Sequence, residues 1–172
     1  TVCCMISVLP DYTNVHPHLL KEYNRRWFLF ATAETDNKFL CFSLDRIDKV
    51  VTLPSHKYVD YEGDINEKFD DIIGVTINEE SPVYKIVFWV SDVSKDYIAT
   101  KPLHESQRNI YGQDEEQLRA KYPTLVSGRF FRIDCKENYE LIRELMSFGQ
   151  ELVVLTPYEI RYKIINRIEN CK

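Results

Sequence analysis

The chain has 172 residues, of which 44% are hydrophobic and 28% charged, the balance of a globular protein with one large or two small domains. Its formal net charge of −5 argues against a surface that is basic throughout, as in nonspecific binders of duplex DNA. No apolar run approaches the roughly 20 residues that span a bilayer, and the first residues lack the features of a signal peptide. We therefore expect a soluble, cytoplasmic protein that does not contact a membrane.

The negative charge is concentrated between Lys57 and Glu80, where eight acidic residues accompany two lysines. This segment has a net charge of −6, which leaves +1 for the rest of the chain. A local basic groove elsewhere is therefore compatible with the acidic total.

The first half of the chain predicts four or five short strands. The first is an apolar run from Cys3 to Leu9, and a central hairpin follows between Lys21 and Ile47, with its turn at residues 35–38. Apolar residues alternate on both faces of its first arm, so we expect Trp27 to lie in the core. Short strands with tight connections favour a small barrel over a sandwich.

A change of period after Gly63 predicts a helix that Gly74 ends. Its apolar stripe would consist of Ile65, Phe69, Ile72 and Ile73. The polar sequence 79–82 then places a domain boundary after Glu80.

The second half predicts the order strand, helix, strand, strand, helix, strand, helix, which is the split pattern of ferredoxin-like domains. Asn138 is placed to cap one of the helices, and residues 103–111 are read as a strand. The predicted fold class is therefore α+β, with a small β-barrel in residues 1–80 and a ferredoxin-like α/β domain in residues 81–172.

Enzymatic motifs are missing: the sequence has no Gly-rich dinucleotide motif, P-loop, nucleophile elbow or zinc-protease motif. His16 and His18 could chelate a metal with His104 or Asp11, but half-exposed histidines beside a turn are the preferred interpretation. The five scattered cysteines form no C-x-x-C pair and indicate a reducing compartment. We expect no metal and no cofactor.

A polar cluster of His104, Ser106 and Gln107 lies at the start of a predicted strand. A His–Ser pair could form a nucleophile, whereas a hydrogen-bonded edge is the favoured alternative. These residues are secondary site candidates.

The strongest functional signal is the sequence Arg25-Arg26-Trp27-Phe28. Guanidinium groups bind phosphate through paired hydrogen bonds, and a neighbouring aromatic face can stack a base. Lys21 and Tyr23 would extend such a site, and Arg46 fits either a structural or a ligand-binding role.

Several ordered motifs follow along the chain: Pro17-x-x-Leu20-Lys21, Asn24-Arg25-Arg26-Trp27-Phe28-Leu29 and Phe42-x-Leu44-Asp45-Arg46-Ile47. The second half adds Thr100-Lys101-Pro102-Leu103-His104-x-Ser106-Gln107, Asn138-x-Glu140-Leu141, Phe148-Gly149 and Val154-Leu155-x-Pro157. The first set resembles the WYL domain of bacterial transcriptional regulators, and the second resembles the WCX extension that accompanies it.

This resemblance implies an Sm-like, SH3-type barrel followed by a ferredoxin-like domain. It also implies a regulatory module that senses a nucleotide or single-stranded nucleic-acid fragment, while a separate N-terminal helix-turn-helix, absent from this sequence, contacts operator DNA. WCX is associated with oligomerisation, so a homo-oligomer is expected. The implied groove residues are Lys21, Tyr23, Arg25, Arg26, Phe28 and Arg46, with Trp27 as anchor. The motif tyrosine is Phe28 in this chain, so its aromatic face is kept without a hydroxyl.

Three hypotheses follow. The leading one is a non-catalytic, ligand-sensing and oligomerisation region of a transcriptional regulator. The second is a protein interaction module without a small ligand, and the third is a metal- or Ser/His-dependent hydrolase built around His16, His18, His104 and Ser106.

Overall fold

The computed structural model describes residues 2–8 and 11–171 and divides the chain into two compact units between Asp70 and Asp71. Each unit contains an antiparallel sheet, and the α+β class expected from the sequence is confirmed. The predicted domain boundary lies ten residues later, after Glu80. Among the described residues, no helix is both long enough and apolar enough to cross a membrane.

The first unit is built on one five-stranded sheet in the order β4-β3-β2-β1-β5. Its strands are β1 Cys4–Val8, β2 Asp11–Tyr23, β3 Arg26–Ala33, β4 Phe39–Ser43 and β5 Lys49–Thr52. Leu9, the last residue of the predicted first strand, lies outside the described residues. Because no ladder joins β4 to β5 in the described part of the chain, closure into a barrel stays a prediction.

One face of this sheet forms the core of the first unit. Its buried members are Cys4, Ile6, Val15 and Ala31, and partly buried Val8, Leu29, Leu40, Phe42 and Ile47 pack against them. The prediction that Trp27 lies in the core is wrong, because its side chain is 49% exposed. Trp27 is the second residue of β3, close to the turn that precedes the strand, where few side chains can cover it.

Aromatic side chains cover part of the opposite face. Phe30 stacks on Phe39 at a centroid distance of 5.7 Å, and Phe69 meets Phe30 edge-on at 4.8 Å. Phe69 is the last residue of a 3₁₀ helix, Ile65–Phe69.

The predicted helix from Gly63 to Gly74 is therefore wrong. Helical structure stops at Phe69, and the chain passes from one unit to the other after Asp70. Phe69 packs on the sheet of the first unit, whereas Ile73 belongs to the core of the second. A 3.6-residue spacing in the sequence thus joined residues that pack in two different units.

The second unit has the strand order β7-β8-β6-β9. Its elements are β6 Val83–Val90, α1 Lys95–Thr100, β7 Arg108–Asn109, α2 Gly112–Lys121, β8 Arg129–Lys136, α3 Tyr139–Ser147, β9 Leu152–Thr156 and α4 Tyr158–Glu169. All neighbouring strands are antiparallel, and this order is the split β-α-β arrangement of a ferredoxin-like sheet. The strand predicted over residues 103–111 is reduced to Arg108–Asn109, because the residues before it form turns.

Alternating apolar residues of β6, β8 and β9 pack against α3 and α4 in the second core. Asn138 caps α3 as predicted, since its side chain accepts a hydrogen bond from the amide of Leu141 at 2.8 Å. In α4, Ile160 is buried and Ile164 packs on the core, whereas Ile168 is exposed.

Candidate ligand-binding surface

A two-residue turn joins β2 to β3 and fixes the position of the arginines. Tyr23 pairs with Arg26, and the residues between them, Asn24 and Arg25, have φ values of 52° and 63°. Positive φ at both central positions is the signature of a type I′ hairpin turn, whose second position strongly prefers glycine. Arg25 occupies that position, so its guanidinium projects from the exposed tip of the hairpin.

The register of β2 and β3 brings four predicted site residues together. Tyr23 lies opposite Arg26, and Lys21 lies opposite Phe28. Directly paired residues and residues two apart on a strand lie on the same face of a sheet. The four side chains therefore alternate as cation and aromatic in a two-by-two array, which we call the cation–aromatic surface.

The carboxylate of Asp45 neutralises part of this surface. An Arg26 guanidinium nitrogen, Nη2, lies 2.6 Å from Oδ2 of Asp45 in an exposed ion pair. The hydroxyl of Ser43 donates to the other carboxylate oxygen. The Ser43 hydrogen bond first, and the charge of Arg26 second, lower the pKa of Asp45. An anionic ligand at Arg26 would therefore compete with a carboxylate that is already ionised.

Lys21 of the cation–aromatic surface and a further lysine, Lys68, both lie against aromatic rings that pack around Phe30. The ammonium of Lys21 lies 4.4 Å from the ring centroid of Phe69, and that of Lys68 lies 5.6 Å from the centroid of Phe39. Both distances are within the range of cation–π attraction. Sequence reasoning missed Lys68 and Phe69 because it assigned them to a helix with an acidic outer face.

The remaining predicted groove residues are placed differently. Arg46 is exposed at the end of the 3₁₀ helix Leu44–Arg46, directly after Asp45. Trp27 follows Arg26 on β3 and so faces the opposite side of the sheet. The structure thus brings Lys21, Tyr23, Arg26 and Phe28 together and leaves Trp27 outside the array. The turn at Asn24-Arg25 sets the register behind this division, and the sequence reading missed it because it placed Lys21 and Arg26 in the same arm of the predicted hairpin.

His16 and His18 lie in a hydrogen-bonded network beside Tyr58. His16 is buried, so the expectation that it is half-exposed is wrong. The ring of His18 contacts the Thr32 hydroxyl at 2.8 Å and the Tyr58 hydroxyl at 3.1 Å. Burial, followed by the charge of His16, lowers the pKa of His18. These contacts occupy both nitrogens of the His18 ring with protein hydroxyls.

A cavity of about 240 Å³ lies next to this network. It is lined by Thr32, Asn37, Val59, Asp60, Tyr61 and Glu62. Two carboxyl groups in its lining make it a poor receptor for a phosphate, because like charges repel.

The secondary candidates make internal contacts in the second unit. The Ser106 hydroxyl donates to the carbonyl of Asp134 at 3.1 Å, accepts from the Asp134 amide at 2.8 Å and contacts His104 Nδ1 at 2.7 Å. The Gln107 side chain accepts from the Leu103 amide and donates to the Ile98 carbonyl. Such hydrogen bonds tie a loop to β8 and α1, which is the edge role that the sequence favoured over a nucleophile.

Comparisons with known proteins give two family matches. The WYL domain family matches residues 11–52, and the WCX domain family matches residues 82–171, more than half of the chain. No curated protein matches the sequence.

One solved structure with similarity to the chain is the proteasome accessory factor B/C (PafBC) of Arthrobacter aurescens, at 17% sequence identity and a TM-score of 0.39. The alignment covers 98% of this chain and 24% of the PafBC chain, so the sequence spans about a quarter of that protein's length.

Proposed function

The chain belongs to the family of proteins that combine a WYL domain with a WCX domain, and from this premise we propose that its first unit senses a phosphate-bearing ligand. The ligand class is a nucleotide or a short single-stranded nucleic acid. The sensing unit would serve a bacterial transcriptional regulator whose operator contacts belong to a separate DNA-binding module. No catalytic step is part of this role.

The alternation of cations and aromatics on one sheet face is the observation that carries this proposal. Tyr23 and Phe28 occupy one diagonal of the array and supply rings on which bases can stack. Lys21 and Arg26 occupy the other diagonal. Proteins that bind single strands without strict sequence preference combine these two features. The array lies on regular strands, so its spacing does not depend on a mobile loop.

The backbone at Arg25 supports the same role. A residue with a Cβ atom at positive φ costs roughly 1 kcal/mol relative to glycine. Arg25 has φ +63° at a turn position where glycine is preferred, and its side chain is exposed. An exposed arginine kept at a strained position fits a function outside the folding of the hairpin.

Fluorescence anisotropy with labelled oligothymidine, oligouridine and adenine nucleotides at low salt tests the proposal. We expect the logarithm of the association constant to fall linearly with the logarithm of the salt concentration. The slope should be about −0.7 for each phosphate contacted. Arg26→Ala should weaken binding and reduce this slope by about 0.7. Phe28→Ala should weaken binding while keeping the slope, because stacking releases no counterions. Failure of every probe to bind at low salt would contradict the proposal.

Asp45→Asn provides the converse change. It removes the carboxylate that occupies Arg26 and should strengthen binding severalfold, with the slope unchanged or steeper. Lys49→Ala is the matched control, since it removes an exposed cation from β5, away from the cation–aromatic surface. If Lys49→Ala weakens binding as much as Arg26→Ala does, attraction by overall charge and not this surface explains the binding.

Arg25→Gly separates ligand binding from folding. Relief of the positive φ should raise the free energy of unfolding by up to about 1 kcal/mol, and loss of the guanidinium should weaken the oligonucleotide complex. Urea unfolding and anisotropy on the same preparation measure both effects. A variant that is more stable and binds equally well would exclude Arg25 from the site.

A specific feature also favours the second candidate function, association between copies of the chain. Tyr158, Tyr162 and Ile165 are exposed on α4, at spacings of four and three residues that form one stripe. The rings of Tyr158 and Tyr162 stack at 5.8 Å. A contiguous apolar stripe of this kind suits an interface with a second copy.

Ile165→Glu distinguishes the two candidate functions. It should lower the mass measured by light scattering after size exclusion without changing oligonucleotide binding. Arg26→Ala should leave the mass unchanged and weaken oligonucleotide binding. If Ile165→Glu leaves the mass unchanged, α4 does not form the interface.

A further inference from the structure

Three chain segments converge at one end of the first sheet, the end that holds the C-terminus of β3. Cys3 precedes β1, Glu34 follows β3, and His56 lies in the turn after β5. Backbone hydrogen bonds hold them there: the amide of Leu53 donates to the carbonyl of Cys3 at 2.9 Å, and that of His56 donates to the carbonyl of Leu53 at 3.0 Å. The amide of Glu34 donates to the Asn14 carbonyl at 2.9 Å. The sheet itself thus positions all three residues.

The side chains of Cys3, Glu34 and His56 bring three chemically different metal-ligand atoms close together. One ligand atom from each residue, the Cys3 sulfur, a Glu34 oxygen and a His56 ring nitrogen, lies within 4.8 Å of the other two. The Nδ1 atom of His56 lies 2.7 Å from Oε1 of Glu34. The side-chain amide of Asn14 donates to Oε2 of Glu34 at 3.0 Å, which orients the carboxylate.

The site is closed on one side and open on the other. Cys3 is fully buried, while the side chains of Glu34 and His56 are 29% and 37% exposed. Hydrogen bonds from His56 and Asn14 lower the pKa of Glu34, and burial followed by the charge of Glu34 raises the pKa of the Cys3 thiol. A negative centre therefore faces a buried sulfur, with solvent access on the histidine side.

We propose that Cys3, Glu34 and His56 bind a divalent transition-metal ion, with Zn²⁺ as the best match and one coordination position open to solvent. Zinc accepts sulfur, nitrogen and oxygen donors together, and three protein ligands with an open fourth position are a common arrangement for it. A thiolate ligand disfavours Mg²⁺ and Ca²⁺, which prefer oxygen donors. The proton of the Cys3 thiol passes to solvent when the sulfur binds the ion.

The required movement is small. Tetrahedral coordination at about 2.3 Å to sulfur and about 2.0 Å to nitrogen and oxygen separates the ligand atoms by roughly 3.3–3.5 Å. The distance between His56 Nδ1 and Glu34 Oε1 must therefore increase by about 0.6 Å, and the Cys3 sulfur must come closer to the other two ligand atoms by up to about 1.3 Å. Side-chain rotations of the two partly exposed residues can supply both changes.

The ion would join the segments around three of the five strands. It would lie about eight residues along β3 from Arg26, or roughly 25 Å at the usual strand rise, so it is separate from the cation–aromatic surface. An ion that binds the folded unit and not the unfolded chain stabilises the fold. The competing explanation is that a His–Glu hydrogen bond merely packs beside a buried thiol.

Titration with Co²⁺ of the full chain, freed of any affinity tag and treated with chelator, tests the proposal. We expect one equivalent to bind, a thiolate-to-cobalt charge-transfer band in the near ultraviolet, and displacement by Zn²⁺. Elemental analysis of protein purified without chelator should show zinc near one equivalent. The unfolding temperature should rise with added Zn²⁺.

Cys3→Ser should abolish the charge-transfer band, and Glu34→Gln and His56→Gln should each weaken Zn²⁺ binding at least tenfold in competition with a chelating indicator. Cys41→Ser is the matched control, because it removes an exposed cysteine on β4 and should leave the band intact. Circular dichroism checks that each variant is folded, and Glu34→Gln keeps the test decisive if Cys3→Ser does not fold. The proposal is overturned if the wild-type chain shows no thiolate band, if the band survives in Cys3→Ser, or if Glu34→Gln binds Zn²⁺ as tightly as wild type.

Discussion

For single residues, burial in the fold decides which of the five thiols can react. Cys3, Cys4 and Cys135 are buried, whereas Cys41 and Cys171 are exposed. Burial raises the pKa of Cys135 to about 12 and also raises the pKa values of Cys3 and Cys4. Since the thiolate is the reactive form, a thiol with a pKa near 12 is ionised in only about one molecule in ten thousand at pH 8.

We therefore predict two rapidly modified cysteines in the native, chelator-treated protein at pH 8. Cys41 and Cys171 should react with Ellman's reagent within the first minutes, and the three buried thiols should react only on unfolding. Peptide mapping after brief alkylation identifies the modified positions, and the same protein in denaturant, with five reactive thiols, is the control. Modification of Cys135 as fast as Cys41 would contradict the burial argument.

The candidate site shows which residue properties a sequence can reveal. Residue type alone indicated a cluster of cations and aromatics, because Arg25, Arg26, Trp27 and Phe28 are consecutive in the chain. The face on which each side chain lies depends on register, which the turn at Asn24-Arg25 sets. The metal-binding set could not be found from spacing, since Cys3, Glu34 and His56 are brought together only by the pairing of distant strands.

For whole elements, the hydrogen bonds of Asn138 link a helix to a segment far from it in sequence. The buried side chain accepts from the Leu141 amide and donates to the carbonyls of Ile73 and Thr76 at 2.8 Å and 3.0 Å. One residue thus caps α3 and holds the chain that enters the second unit.

Two substitutions separate these roles. Asn138→Ser keeps a capping oxygen but loses both donors to the carbonyls, and should cost about 1–3 kcal/mol. Asn138→Ala also loses the cap and should cost about 1 kcal/mol more. Urea unfolding followed by Trp89 fluorescence in a Trp27→Phe background reports on the second unit, because the two tryptophans lie in different units. A serine variant as stable as wild type would show that the two carbonyl contacts contribute nothing.

The elements differ in how well the sequence predicted them. The strand–helix order of residues 83–169 follows from alternation and capping, except that α2 lies between β7 and β8, where the predicted order has no helix. The helix predicted over residues 63–74 is wrong because periodicity indicates which residues are buried but not in which unit they are buried. Phe69 and Ile73 are four residues apart and pack on different units.

For the whole molecule, the position of the division between units can be tested by cutting the chain. Residues 71–76 run before β6, yet they contribute to the second unit: Ile73 and Val75 are buried, and the Asp71 carbonyl accepts from the Lys136 amide at 2.6 Å. The hydroxyl of Thr76 also donates to Glu140 at 2.8 Å. A boundary after Glu80 would remove all of these contacts from the second unit.

We predict that a fragment of residues 71–172 folds by itself and is more stable than a fragment of residues 81–172 by about 3 kcal/mol. Burial of an isoleucine and a valine contributes about 1.5–3 kcal/mol each, an upper range because unfolded chains also bury some surface. Urea unfolding of both fragments measures the difference. The 71–172 fragment with Ile73→Ser controls for chain length, because it keeps all 102 residues. It should lose a large part of the additional free energy of unfolding. Equal stability of the two fragments would place the true boundary at residue 80, because segment 71–80 would then contribute nothing to the second core.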